Sequence, residues 1–127
     1  MIPKFRAWDR TRNEMIDVRV IDWNNMIVDS FSPYIEIPLE KVILMQSTGL
    51  KDKNGVEIFE GDVVQFEDCY TESDFLYINK GIIEWSQGSF TVTNRDSAEM
   101  EDLLDGEILD VTIIGNIHEN PELVEGI

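Results

Sequence analysis

Two turn signals sit almost back to back in the middle of the chain, and they limit what it can fold into. Asn54-Gly55 follows Leu50-Lys51-Asp52-Lys53 and precedes Val56-Glu57-Ile58-Phe59. Asparagine and glycine both tolerate positive φ, and an Asn-Gly pair between apolar runs forms a hairpin whose twist matches its strands. Asp52, just before the pair, can bond its side chain to the backbone of that turn. Glu60-Gly61-Asp62 is a second turn. The run after it, Val63-Val64-Gln65-Phe66, is β-branched and aromatic, as strands are. Gly49 stands ahead of both and joins Asp52, Asn54, Gly55, Gly61 and Asp62 as one structural turn motif. A chain that turns this often is committed to short antiparallel strands.

Two ligand readings of the same stretch compete with the plain turn, and both fail on spacing. If Gly55 took the glycine position of an EF-hand loop, the first ligand would be Leu50, and no bidentate glutamate follows at the required offset. Gly49, Gly55 and Gly61 fit neither a P-loop nor a dinucleotide fingerprint, and strand rather than helix follows them. No metal and no cofactor is therefore expected.

The flanking sequence extends the β pattern. Lys4 to Asp9 alternates, with Phe5 and Ala7 on one face and Arg6 and Trp8 on the other. Met15 to Trp23 reads as its returning strand, and Met26-Ile27-Val28 as another after a turn at Asn24-Asn25. Ser32-Pro33 and Ile37-Pro38 are expected to break regular structure, with one helical turn at Pro38 to Val42. Val42 to Met45 is strand-like. Glu67 to Asp74 is polar and acidic and reads as a loop. Phe75 to Ile78 reads as a strand, Asn79-Lys80-Gly81 as a turn, and Ile82 to Trp85 with Phe90 to Thr93 as a hairpin. Asp96-Ser97-Ala98-Glu99 has the form of a capping box. Met100, Leu103 and Leu104 follow at helical spacing, with Gly106 as a stop, so one short helix is expected. Val111 to Ile117 is the last strand, and Asn120-Pro121-Glu122-Leu123 starts a further helical turn. The expected fold is mainly β, a β-rich α+β unit. It combines a small antiparallel, partly open barrel of SH3-like size with an N-terminal hairpin part and the short helix. The 127 residues fit one unit, with a possible subdivision into 1–40 and 41–127.

Charge placement narrows the partners. Residues 1–55 hold eight basic and eight acidic side chains, whereas residues 56–127 hold two basic, Lys80 and Arg95, against eighteen acidic. Neutralising phosphates needs Lys and Arg, so this second part is unsuited to nucleic acid or to an anionic membrane. The basic residues Arg6, Arg10, Arg12 and Arg19 lie beside Trp8, but Asp9, Glu14 and Asp17 offset them, and solvated ion pairs are the expectation. A single cysteine, Cys69, excludes an internal disulfide and fits a reducing cytoplasm. It sits among carboxylates that oppose thiolate formation, so it is not read as a nucleophile. The N-terminus has no apolar signal region, and no stretch reaches transmembrane length.

Three blocks of this sequence resemble the YopX family of phage and prophage proteins. They are Ile2-Pro3-Lys4-Phe5-Arg6-Ala7-Trp8-Asp9, then Gln46 to Gly55 continued through Glu60-Gly61-Asp62-Val63-Val64, and finally Ile114-Gly115-Asn116-Ile117-His118-Glu119-Asn120-Pro121-Glu122-Leu123. They stand in the family's order and span the chain. The resemblance implies a mainly β fold and a phage or prophage setting in a bacterial host; it implies no activity and carries over no catalytic residues.

The residues themselves offer no catalytic constellation. His118 is the sole histidine, it follows the last strand, and it is read as a surface or packing residue. A non-enzymatic binding or assembly module acting on a host or phage protein is the leading expectation. Its possible interaction surface is Trp8, Trp85, Glu99, Glu101, Asp102 and Asp105. An acidic nucleic-acid mimic that occupies a DNA- or RNA-binding protein is the alternative, and weak nucleic-acid binding through aromatic side chains such as Trp85 and Phe90 comes third. Self-pairing into a homo-oligomer would cover exposed strand edges.

Overall fold

The computed structural model of the protein describes residues 4–31, 34–69, 76–86, 88–93, 104–106 and 108–125. These residues form strands and two 3-10 turns, so the chain is mainly β as expected. The chain divides into two compact units, residues 1–47 and 48–127. The division falls inside a strand, between Ser47 and Thr48, rather than at residue 40.

In the first unit β1 (Phe5–Asp9) and β2 (Glu14–Asp22) form the expected opening hairpin, with Arg6 opposite Asp17 and Asp9 opposite Glu14. Then come β3 (Ile27–Phe31), β4 (Tyr34–Pro38), a 3-10 turn at Leu39–Lys41 and β5 (Val42–Lys51), which returns antiparallel to β1. The order across the sheet is β5-β1-β2-β3-β4. Ala7, Ile16, Val28, Ile37 and Val42 form its buried core. The alternation in β1 buries Ala7 as the pattern requires.

One expectation fails here: the segment between the two prolines is not a break but a strand. Ile37 of β4 pairs with Val28, and Ile35 with Ser30. Ile35 and Ile37 stand two residues apart and pack on the core. Pro38 is tolerated because it ends a strand at the sheet's edge, where a missing N–H costs least.

The second unit begins with the end of β5, which pairs with β6 (Glu57–Phe59) and runs parallel to β11 (Ile108–Leu109) at Lys51. A four-stranded antiparallel sheet follows, in the order β12 (Thr112–Asn116), β7 (Asp62–Cys69), β8 (Leu76–Ser86), β9 (Ser89–Thr93). Ile58, Val64, Phe66, Ile83, Val92, Leu109 and Val111 are buried together. Among the described residues neither sheet closes into a barrel.

Three sequence expectations change in this unit. Glu67 to Cys69 belong to β7 rather than to a loop, paired with Ile78 to Leu76 of β8; the ladder overrides their polar composition. Asn79-Lys80-Gly81 does not turn, because β8 runs straight through it. Gly81 sits opposite Val64, and a Cβ there would overlap Val92, so the glycine serves close packing rather than a reversal. The capping box and most of the expected helix lie outside the described residues. Leu104, read as its last apolar position, instead pairs with Leu109 in a hairpin of β10 (Leu104–Asp105) and β11. Gly106 takes φ 64 in the reversal between them, which fits a tight strand connection.

Candidate functional site

The three sequence blocks singled out above share one feature: each holds a buried Asp or Asn side chain turned onto backbone amides. In the central block, the Asp52 side chain is 1% exposed. Its Oδ1 accepts from the N–H of Asn54 and of Val56, each at 2.9 Å. Its Oδ2 accepts from the N–H of Ile113 on β12 at 3.1 Å. The backbone closes the same loop, with Asp52 N–H to Val56 O at 2.9 Å and Gly55 N–H to Asp52 O at 3.0 Å. Only Gly55 of the Asn-Gly pair has positive φ, at 80°. The expected turn with both residues left-handed is therefore replaced by a tight turn closed by one left-handed glycine, a common hairpin alternative. The Asp52 carboxylate, third in the calcium-loop reading, accepts from three amides.

The second turn is built the same way. Asp62 is buried, and its Oδ2 accepts from Phe59 N–H at 2.8 Å. Gly61, at φ 88°, donates to Ile83 O at 2.8 Å and accepts from Ile117 N–H at 2.9 Å. Gly49 lies within β5, not in a turn; beside it the Thr48 hydroxyl donates to Ile58 O at 2.8 Å and accepts from Leu50 N–H at 3.1 Å.

The closing block completes the pattern. Asn116 is buried, and its Oδ1 accepts from the N–H groups of His118 at 3.0 Å and Glu119 at 2.8 Å. Its Nδ2 donates to Glu119 Oε1 at 3.0 Å. Asn120 Oδ1 accepts from Asn116 N–H, and the 3-10 turn Pro121–Val124 follows. His118 sits in this reversal, half-buried. In the opening block Asp9 is buried and accepts from Thr11 N–H at 2.9 Å and Arg12 N–H at 3.3 Å, capping the β1–β2 turn. Spacing alone could not reveal the bond between Asp52 and Ile113, which are 61 residues apart.

The basic residues beside Trp8 behave as ion pairs and backbone donors. Arg12 lies 3.9 Å from Asp9, Arg19 lies 3.5 Å from Asp29, and Arg10 donates to the carbonyl of Glu40. Among the described residues, no group of three or more His, Cys, Asp or Glu side chains is placed to hold a metal ion, and no helix is long and apolar enough to cross a membrane.

Among the described residues, exposed tryptophans mark two apolar sites, apart from the exposed Ile43, Val56 and Ile108. One is the β2–β3 hairpin, where Trp23 is 63% exposed and Val20 and Met26 are also open. Asp22 holds its tip. Oδ1 accepts from Asn24 N–H at 3.0 Å and Asn25 N–H at 3.1 Å, and Oδ2 accepts from Asn25 Nδ2 at 2.8 Å. The Asn25 side chain, then the Asn25 and Asn24 amides, lower the Asp22 pKa from its ordinary 3.8. A depressed carboxylate pKa stabilises the tip above 3.8 and ceases to do so as pH falls through the folded value. The Asn24 and Asn25 amide resonances should therefore titrate together with a midpoint below 3.8, and Asp22→Asn should remove that titration.

The other site is on β8–β9. Trp85 is 50% exposed and directly opposite Phe90, with ring centroids 4.7 Å apart and planes at 78°. Trp8 is half-buried on β1. The side chains of Glu99, Glu101, Asp102 and Asp105, expected on the same surface, lie outside what the structure describes.

Fold and site together define a small sheet protein whose distinctive polar residues lock turns, and whose exposed chemistry is aromatic and anionic. The profile of the YopX protein family matches residues 4–125, and the chain belongs to that family. Its fold is similar to the crystal structure of protein EF1440 from Enterococcus faecalis, at 31% identity and a TM-score of 0.66, covering 98% of this chain and 99% of that one. A search of curated proteins finds no significant match.

Proposed function

We propose that the chain is a non-enzymatic binding or assembly module that engages a host or phage protein in the cytoplasm of a bacterial host. One observation carries this reading. The buried polar side chains of the three family-like blocks, Asp9, Asp52, Asp62 and Asn116, are spent on the protein's own amides, as Asp52 shows most fully with three. What the surface offers instead is large apolar side chains on hairpins, Trp23 and Met26 on one and Trp85 on another. Exposed tryptophans on a rigid frame are the usual anchors of protein interfaces.

The test is affinity capture from host lysate with the wild type, Trp23→Ser and Trp85→Ser. A discrete protein retained by the wild type and lost with one of the substitutions supports the proposal. Measurable turnover of a substrate by the purified chain, with no protein retained, overturns it.

Charge mimicry is the second reading. Residues 48–127 carry nineteen acidic side chains and four basic ones. A mimic would bind a basic partner and lose it steeply with salt. A complex equally stable at low and high salt would exclude it.

A further inference from the structure

We propose that the outer edge of β9 is a docking site for an extended segment of another protein, one that alternates apolar residues with lysine or arginine. The inference deepens the binding-module reading and rests on it.

β9 ends the four-stranded sheet, and among the described residues its outer edge has no strand partner. Sheet edges are ordinarily blunted by charge, proline or a bulge. The sequence of β9, Ser89-Phe90-Thr91-Val92-Thr93, contains neither charge nor proline, and its ladder with β8 runs without a register shift from Ser86–Ser89 to Ile82–Thr93. The backbone groups on that edge are a ready template for one more strand.

The two faces beside the edge differ, and this dictates the occupant. Phe90 and Val92 lie on the core face with Trp85, which is cross-strand from Phe90 and half open to solvent. On the opposite face, Glu84 is exposed opposite Thr91, and its Oε2 accepts from the Thr93 hydroxyl at 2.9 Å. An added strand presents alternate side chains to these two faces. One set would pack along Phe90 and Trp85 and must be apolar. The other would face the Glu84 carboxylate and must be basic. The surplus of acidic over basic residues across 48–127 favours the same sign. A second copy of this chain is disfavoured, since its own β9 is uncharged and its basic alternating strand, β1, is already paired on both edges by β2 and β5.

The experiment uses the full chain and three end-blocked peptides, titrated calorimetrically at low salt. The first alternates valine and lysine, the second alternates valine and glutamate, and the third is the valine–lysine peptide N-methylated at alternate residues. The expected result is binding of the first alone, with slowed amide exchange in β9. N-methylation, which removes backbone donors but keeps every charge, should weaken binding about tenfold or more, as losing two or three hydrogen bonds does. Trp85→Ser and Glu84→Gln, both at exposed positions, should each weaken it as well. Equal binding of the methylated peptide would reveal mere polycation attraction and overturn the proposal. So would no binding, indifference to both substitutions, or sedimentation showing that the edge is already occupied by a second copy. A partner captured from lysate by the wild type while every peptide fails would remove the β9 site and leave the binding-module reading standing.

Discussion

Replacing Asp52 with alanine should lower the unfolding free energy by about 3 kcal/mol, the largest effect of any exchange of a polar residue among the described residues. The carboxylate serves three amides at once, and two of them close its own turn while the third belongs to β12. Hydrogen bonds to a charged group contribute more than neutral ones, and the alanine leaves their donors behind. Asn54 and Val56 are exposed enough for water to replace part of the loss, whereas Ile113 is half-buried. Asp52→Asn should cost about half as much. Its amide oxygen can keep the turn, but its NH2 would face the Ile113 N–H, donor against donor. Urea unfolding of both variants is the check. A loss below about 1 kcal/mol for the alanine variant would place the turn's stability in the Asn-Gly backbone instead.

Gly115→Ala should be the second costly exchange, at about 2 kcal/mol. Its Cβ would overlap the Asn120 side chain and the Leu123 methyl. Asn120 cannot simply withdraw, because its Oδ1 holds Asn116 N–H and its own N–H is bonded to Asn116 O at 2.9 Å. The overlap should force the 3-10 turn Pro121–Val124 off β12 and admit protease there before the rest of the chain is cut. Adding Asn120→Gly removes the nearest obstructing atoms and leaves only the flexible Leu123 methyl, so the double variant should resist protease better than additivity of the single changes predicts. Strict additivity would mean that the Leu123 methyl, rather than Asn120, is what excludes a Cβ there.

The sequence made the β architecture legible because its turns are chemically explicit. Asn54-Gly55 and Glu60-Gly61-Asp62 reverse the chain where those residues imply, the run after them became β7, and the alternating runs near the N-terminus became β1 and β2. It misled where a local signal had two physical meanings. Gly81 suggests a reversal, yet the space it leaves for Val92 is a requirement of packing, visible only with β9 in place. Pro38 suggests a break, yet at a sheet edge it costs little. The reach of Asp52 to its own turn was readable, because that contact is local. Its hold on Ile113 was not, because no periodicity connects positions so far apart. The exposed hairpin tip at Trp23 was also missed: alternation in β2 continues to that residue, and only the strand pairing shows that the ring points to solvent.

The grip of Asp52 on Ile113 also bears on how the protein is made. During synthesis the central turn leaves the ribosome long before β12 does, so the carboxylate must wait for its third donor. The second unit can therefore lock only once Ile113 has emerged, and nascent chains halted before Ile113 should remain open to protease around Asp52.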